Sequence, residues 1–198
     1  THVAFLSGYL SALLAPNFRV GALLVSENSI NNQAYLNGVS YFCGQCASVV
    51  YPLNRYPLTS QQPANSSPAN WQAAFNEINA NKINVLYIPD TVASADLGTY
   101  LSSYDIAVIG DQTPPDELRS RWVATISSDG LTPLQEIWSD LLDGQGGKVL
   151  NASLKITDVN YMALTDGLVW LSQGKMELVY KVIGLLRDGQ IYTGSVIQ

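Results

Sequence analysis

Arg19-Val20-Gly21-Ala22-Leu23-Leu24-Val25-Ser26-Glu27-Asn28 gives the first indication of the fold class. Its apolar run is short enough for a strand buried on both faces, and the polar residues after it can cap a helix. Helical patterns lie on either side, which is typical of a strand in a mostly parallel sheet. We therefore predict an α/β fold with a doubly wound, mostly parallel sheet and helices on both faces.

Polar residues follow three of the predicted strands at their carboxyl ends. Small molecules bind at this edge in open sheets of this class. The residues are Ser26, Glu27 and Asn28 after the first strand, Asp90 after the third and Asp111 after the fourth. Two aspartates could form an acid–base pair, but loop aspartates at strand ends more often cap helices or bind ligand hydroxyls. We expect a binding site and not a catalytic one.

The first 112 residues contain four alternating strand and helix units. The second strand is predicted at Ser48–Leu53, and the polar residues 54–67 are predicted to form a long loop. A loop of this length is often functional. Gly38, inside the second helix, indicates close packing against a neighbouring element.

The pattern changes at Thr113-Pro114-Pro115, which indicates a hinge or crossover. Beyond it we predict a strand over Trp122–Ile126. Thr132-Pro133-x-Gln135 has the form of a capping box that opens a helix, and Gly144 ends that helix. The helix carries an apolar stripe. Its members are Leu134, Ile137, Trp138, Leu141 and Leu142.

The C-terminal part is predicted to contain two strands and one helix. Val149–Thr157 alternates apolar and polar residues, as expected for a strand with one wet face, and Gly167–Leu171 is a second candidate. A helix runs from about Ser172 to Leu186. We thus expect a ligand-binding lobe over residues 1–112, a crossover strand and helix over residues 113–146, and C-terminal elements over residues 147–198 that pack back on the lobe.

Composition narrows the class of protein. Only 13% of residues are charged, and the formal net charge is -6, which argues against a nucleic-acid or anionic-membrane partner. No apolar run approaches the length of a membrane span, and the chain does not start with a charged region and a cleavage site. The few charges and many amides indicate an extracytoplasmic protein.

The two cysteines form Cys43-Gly44-Gln45-Cys46 at the end of a predicted helix. Catalytic dithiols of this spacing lie at helix N-termini, whereas the negative end of the helix dipole raises the pKa of a thiol. A local disulfide or two inert thiols are therefore favoured over a redox enzyme. One such pair has too few ligands for a structural zinc site, and no phosphate-loop, dinucleotide or nucleophile-elbow motif is present, so we expect no cofactor and no metal.

Several stretches together resemble the basic membrane protein (Bmp) family. Phe5–Leu14, followed by Arg19–Gly21, resembles the family's "FLAG-x-AAL … KVGF" segment, and Tyr35–Val39 resembles its Phe-x-x-Gly-Phe helix. Val108–Gln112 is similar to its "IGVDxDQ" strand end, and Leu134–Gly144 is similar to its "VLDG" helix. The order and spacing match over nearly the whole chain.

The resemblance implies a solute-binding protein of an ABC uptake system, with two α/β lobes that close on a ligand, often a nucleoside. This chain resembles only the second lobe and the C-terminal part of the family. In that family Asp111 would hold ribose hydroxyls, with Ser26 and Asp90 at strand ends that line the cleft. Tyr56 stands for the phenylalanine that stacks on the base. Ser128 replaces a lysine, which departs from the nucleoside-binding pattern.

These expectations give a leading hypothesis and two alternatives. The leading one is a ligand-binding lobe without chemistry, whose partners are a small solute, the missing N-terminal lobe and a membrane permease. The first alternative is an interaction or sensor domain that kept the fold and lost the ligand. A redox enzyme is the second. The apolar stripe before Gly144 would lack its usual partner in this chain, so the segment either folds back on its own lobe or docks on a second copy, and we favour the homodimer.

Overall fold

A computed structural model describes residues 1–147, 152–161 and 171–194. The strands are β1 (Val20–Val25), β2 (Leu58–Gln62), β3 (Val85–Ile88), β4 (Ala107–Gly110), β5 (Trp122–Asp129) and β6 (Ser153–Thr157). The helices are α1 (His2–Leu14), α2 (Ser29–Cys43), α3 (Pro68–Asn79), α4 (Ala95–Ser102), α5 (Leu131–Glu136), α6 (Trp138–Leu142) and α7 (Gln173–Arg187). Short 3₁₀ turns lie at Pro16–Phe18 and Asp116–Leu118.

The described strands form one six-stranded sheet in the order β2-β1-β3-β4-β5-β6. The first five pair in parallel, and β6 pairs antiparallel with β5. The chain moves one way across the sheet from β1 to β2 and the other way from β2 to β3. Since parallel crossovers are right-handed, α2 and α3 cover opposite faces. The predicted α/β class is confirmed.

The central strands and the first helix form the core. Every residue of β1, β3 and β4 is buried, as the unbroken apolar run of β1 predicts. α1 is buried from Ala4 to Leu14 because α2, α7 and the sheet surround it. A Cβ added to Gly38 would overlap the carbonyl oxygen of Phe5, and one added to Gly8 would overlap that of Tyr35. The two helices cross so closely that only glycine fits at either position.

The second strand lies outside the predicted segment. Ser48–Leu53 is not a strand, and β2 falls instead within the predicted loop. Pro52 has no N–H to give to a ladder, and the Arg19 guanidinium donates to the Tyr51 carbonyl at 2.5 Å. β2 has one neighbour, β1, and edge strands tolerate polar side chains. Its mostly polar sequence therefore hides it from a search for apolar runs.

The region after the predicted hinge also differs from expectation. β5 continues past Ile126 to Asp129 because its last five residues pair with β6. The predicted single helix is two short ones, with a break at Ile137. The first of them begins at Leu131, before Thr132, with Gly130 at the N-cap, and Asp129 Oδ1 accepts from the Leu131 and Thr132 N–H groups at 3.0 and 3.2 Å. The predicted capping box is wrong.

The C-terminal helix α7 packs against α1 through its buried face, formed by Met176, Val179, Val182 and Leu186. β6 covers the second half of the strand predicted at Val149–Thr157. Residues 149–151 of that strand, and residues 167–170 of the other predicted strand, lie outside the described residues.

Candidate functional site

The point where the chain reverses its direction across the sheet lies between β1 and β3. From the carboxyl end of β1 the chain leads through α2 to β2, and from the carboxyl end of β3 it leads through α4 to β4 on the other side. The loops after β1 and β3 therefore diverge and leave a crevice. Ligands of open α/β sheets bind at such switch points.

A small cavity occupies this crevice. Its volume is about 70 Å³. It is lined by the start of α1, the ends of β1, β3 and β4, and the first turns of α2. The polar lining residues are Thr1, Asn28, Asn31, Asn32, Tyr87, Thr91 and Asp111. No lysine or arginine of the described chain lines it, so Asp111 is the charged side chain of the site.

Asp111 is fixed at this edge of the sheet by hydrogen bonds to both of its carboxylate oxygens. It follows β4 and is partly buried. Its Oδ1 accepts from the backbone N–H of Asp90 at 2.6 Å, and its Oδ2 accepts from the hydroxyl of Tyr87 at 3.2 Å. Burial raises the pKa of Asp111, and these two hydrogen bonds oppose the rise because they favour the carboxylate. Each oxygen keeps acceptor capacity for a ligand.

The loop that carries Asp111 is held by contacts with the neighbouring strand β5. Gly110 has the Trp122 ring against it, where a Cβ would overlap the ring. The Trp122 Nε1–H donates to Thr125 Oγ1 at 2.9 Å, and that hydroxyl donates to the carbonyl of Gln112 at 2.9 Å. The backbone on both sides of Asp111 is thereby held by buried groups of the neighbouring strand.

The residues after β1 have different roles. Asn28 lines the cavity with an exposed side chain. Glu27 ties two loops together, since its Oε2 accepts from the Ser26 hydroxyl at 3.0 Å and from the Ala64 N–H at 3.2 Å. The pKa of Glu27 is lowered, first by its own backbone N–H and further by these two donors. Neither Ser26 nor Glu27 lines the cavity.

The structure also places Asp90 beside the cavity and not in its lining. Its side chain is exposed, and its backbone N–H makes the contact with Asp111. Asn32, one of three lining amides, was not predicted. It is buried, and its Nδ2 donates to the Val25 carbonyl at 2.8 Å, which holds the first turn of α2 against the end of β1.

Tyr56 lies at the opposite end of the sheet, so its predicted stacking on a ligand in this cleft is wrong. Its hydroxyl donates to the carbonyl of Asn81 at 3.0 Å, just before β3 begins. Its backbone N–H donates to the Cys46 carbonyl at 3.1 Å. The shift of β2 to Leu58–Gln62 puts Tyr56 before that strand and not after it.

Ser128 is not brought to the cavity either. It is exposed and pairs with Leu154 in the antiparallel ribbon of β5 and β6. β4 ends opposite Thr125, so Ser128 lies three residues farther along β5, about 10 Å beyond the sheet edge. Its neighbour Asp129 is buried and paired with Lys155. The pKa of Asp129 is lowered, first by Lys155 and then by Thr132.

Cys43 and Cys46 are joined in a disulfide, with their Cα atoms 5.0 Å apart. The bond closes the end of α2 and lies at the edge of the sheet away from the cavity. The loop behind it folds back on itself through a bridge between Ala47 and Arg55. Among the described residues, no group of three or more His, Cys, Asp or Glu side chains could hold a metal ion.

No family model and no curated protein matches the chain. Solved structures do. An ABC transporter solute-binding protein from Conexibacter woesei matches with a TM-score of 0.67 and 14% identity, over 96% of this chain and 62% of that one. A transcriptional activator of the comK gene from Bacillus halodurans matches with a TM-score of 0.65 and 10% identity, over 96% and 63%.

A third structure is GanP, a glucose-galactose binding protein from Geobacillus stearothermophilus, with a TM-score of 0.50 and 13% identity over 78% of this chain and 59% of that one. At such identities the likeness shows the fold, which this chain shares with solute-binding proteins. The chain spans less than two thirds of the length of each of the three. None of the comparisons identifies the Bmp family. No helix among the described residues is long and apolar enough to cross a membrane.

Proposed function

We propose that the chain is the ligand-binding lobe of an extracytoplasmic solute-binding protein of an ABC-type uptake system. The observation that carries the proposal is the Asp111 carboxylate at the switch point, held by two neutral donors and open to a ligand. Two of the solved structures with this fold are solute-binding proteins. The resemblance to the Bmp family points in the same direction and suggests a nucleoside.

The lining indicates the ligand class. Asparagine amides, threonine hydroxyls and one carboxylate suit a small polar solute with hydroxyl groups, which can donate to Asp111 and exchange hydrogen bonds with the amides. Neither Tyr56 nor Ser128 contributes, so a base-stacking contact on this lobe has no support. A sugar or the ribose of a nucleoside fits this set of groups.

The site is half of a ligand pocket. Small-molecule pockets enclose about 300–1,000 Å³, several times the 70 Å³ of this cavity. The longer chains of the three similar structures leave room for a second lobe that would complete the pocket. We therefore expect little affinity for solute from this chain by itself.

The exposed stripe of α5 and α6 is the surface on which we expect that second lobe. Its most exposed member is Leu142, at 72%. A second copy of this chain is the other occupant, as the sequence led us to expect. The Cys43–Cys46 disulfide suits an oxidising, extracytoplasmic location.

Calorimetry on the protein that carries this lobe tests the proposal, after a thermal-shift screen of nucleosides, sugars and amino acids. Asp111→Ala should weaken binding of the solute found by roughly 1.5–3 kcal/mol, the range for a hydrogen bond to a charged group. Asp116→Ala is the matched control, since that aspartate is exposed in its ion pair with Arg119 and does not line the cavity. Equal affinity in both variants would assign Asp111 a structural role.

A sensor or interaction domain is the second candidate. The observation that favours it is the likeness to a transcriptional activator, at a TM-score close to that of the solute-binding protein from Conexibacter woesei. If no compound in the screen raises the melting temperature, this candidate replaces the first.

A further inference from the structure

Tyr87 is a buried tyrosine that contributes to the lining of the cavity. It lies in β3 and is 3% exposed. Its ring stacks on that of Tyr35 from α2, with centroids 4.9 Å apart and an angle of 15° between the ring planes. Tyr35 is itself fully buried, and its hydroxyl donates to the Gly21 carbonyl at 3.4 Å. The Tyr87 ring thus lies between its own strand and α2, against which it stacks.

The hydroxyl of Tyr87 has a specific partner. A buried hydroxyl costs free energy unless it is hydrogen-bonded. Here it donates to Oδ2 of Asp111, while the Asp90 N–H donates to Oδ1. Two donors on the two oxygens fix the plane of the carboxylate, because rotation about χ2 would break both bonds. A phenylalanine at position 87 would keep the stack and lose this restraint.

We infer that Tyr87 is a positioning residue for the ligand-binding carboxylate: its hydroxyl, on a ring that stacks against Tyr35, orients Asp111. The part of this inference that concerns ligand affinity rests on the proposed function. The part that concerns the carboxylate itself does not.

The electrostatic balance around Asp111 explains why the hydroxyl is needed. Burial and the nearby charge of Asp90 both favour the protonated acid, and no described lysine or arginine lines the cavity to oppose them. The bonds from Tyr87 and from the Asp90 N–H favour the carboxylate. A protonated Asp111 would offer a ligand hydroxyl a weaker acceptor.

The other titratable groups around the site are few. From the loop after β1 there is Glu27, and from the end of β5 there is Asp129, which Lys155 neutralises. From α1 there is His2, whose pKa is lowered mainly by burial. A lowered pKa favours the neutral imidazole, which leaves the Tyr87 hydroxyl and the Asp90 N–H as the donors to the Asp111 carboxylate.

NMR titration of the side-chain carboxyl carbons tests this in the chain itself, without any ligand. In Tyr87→Phe the midpoint of Asp111 should move to higher pH, since a bond that favours the ionised form is lost. Tyr35→Phe is the matched control, because it removes a hydroxyl from the same stack that donates to Gly21 and not to Asp111. Its Asp111 midpoint should not move. An unchanged midpoint in Tyr87→Phe overturns the inference.

A second measurement needs no variant. In the wild-type chain, the Cζ chemical shift of Tyr87 should follow the protonation of Asp111, because the carboxylate is its acceptor. A Cζ shift that is independent of that titration contradicts the inference even if Tyr87→Phe fails to fold.

Ligand binding supplies the last readout. In the protein that binds solute, Tyr87→Phe should weaken affinity roughly two- to tenfold at neutral pH, the range for one neutral hydrogen bond. The acid limb of its pH profile should move to higher pH, as the carboxyl titration does. A shifted carboxyl titration without any solute found would refute the proposed function and leave the positioning role standing.

Discussion

The α1–α2 pair and the α5–α6 pair both carry apolar side chains at helical spacing, and they end in opposite situations. In the first pair Phe5 and Leu10 are at most 1% exposed, and the helices touch at Gly8 and Gly38. In the second pair Trp138 is 55% exposed. A stripe of apolar residues therefore shows that a helix needs a partner, but not that the same chain supplies it.

This difference locates the open side of the molecule. Burying one large apolar side chain contributes about 1.5–3 kcal/mol, so a stripe with four exposed members strongly favours association. In the α1–α2 pair the free energy of apolar burial already stabilises this chain. In the α5–α6 pair it is still available for binding the second lobe or second copy proposed above.

The largest effect on stability is expected at Gly38, where α1 and α2 are in close contact. Gly38→Ala should destabilise the chain by about 1–3 kcal/mol, since the new Cβ overlaps the Phe5 carbonyl and the two helices must separate. Gly184→Ala in α7 is the matched control, because its added Cβ meets no described atom within 4 Å apart from the adjoining backbone of α7. That variant should gain roughly 0.5–1 kcal/mol from helix propensity. Urea denaturation of both variants measures the contrast, and equal stabilities would disprove the close crossing.

A smaller, pH-dependent effect on stability is expected from Asp129, which lies just before the α5–α6 pair. Asp129 has a lowered pKa because Lys155 and Thr132 bond its carboxylate. The stabilisation of the fold by the Asp129 carboxylate is fully present above the pKa of the unfolded state, about 3.9. It is lost as the pH falls through the lower pKa of the folded state. Asp129→Asn should therefore lower the melting temperature at pH 7, and the gap to wild type should narrow below pH 4.

The control for this prediction is Asp116→Asn, whose carboxylate is 85% exposed in its pair with Arg119. Surface ion pairs contribute little, so its melting temperature should match that of the wild type at both pH values. A gap for Asp129→Asn that stays constant down to pH 2 would show that the charge is not what holds the ribbon to α5.

The smallest effect on stability is expected from Trp138→Glu. Since this side chain is mostly exposed, the isolated chain should change by no more than about 0.5 kcal/mol in urea denaturation. Light scattering across a dilution series gives the complementary readout. A wild-type dimer that the variant breaks would identify a second copy as the occupant, and a monomer in both cases would favour the second lobe. A large loss of stability in a monomeric variant would show that Trp138 packs within its own chain.

Much of the fold could be predicted because the signals for its strands and helices lie in residues close together in the sequence. The apolar run before Ser26 and the cap that Ser67-Pro68 indicates for α3 act within a few residues, and the Ser67 hydroxyl accepts from the Asn70 N–H. β2 was missed because an edge strand does not need an apolar pattern. Tyr56 was misplaced for the same reason, since its position depends on which side of that strand it falls.

The parallel sheet, its buried helices and the polar residues at the strand ends follow from the amino-acid pattern, because burial and capping are set by neighbours along the chain. Which of those polar residues meet depends on how the strands and helices pack. Asp111, Asp90 and Tyr87 come together through the pairing of β3 with β4, and Tyr35 joins them because α2 packs back over β1 and β3. Such contacts depend on register and crossing angle, and both are set by packing across the whole sheet.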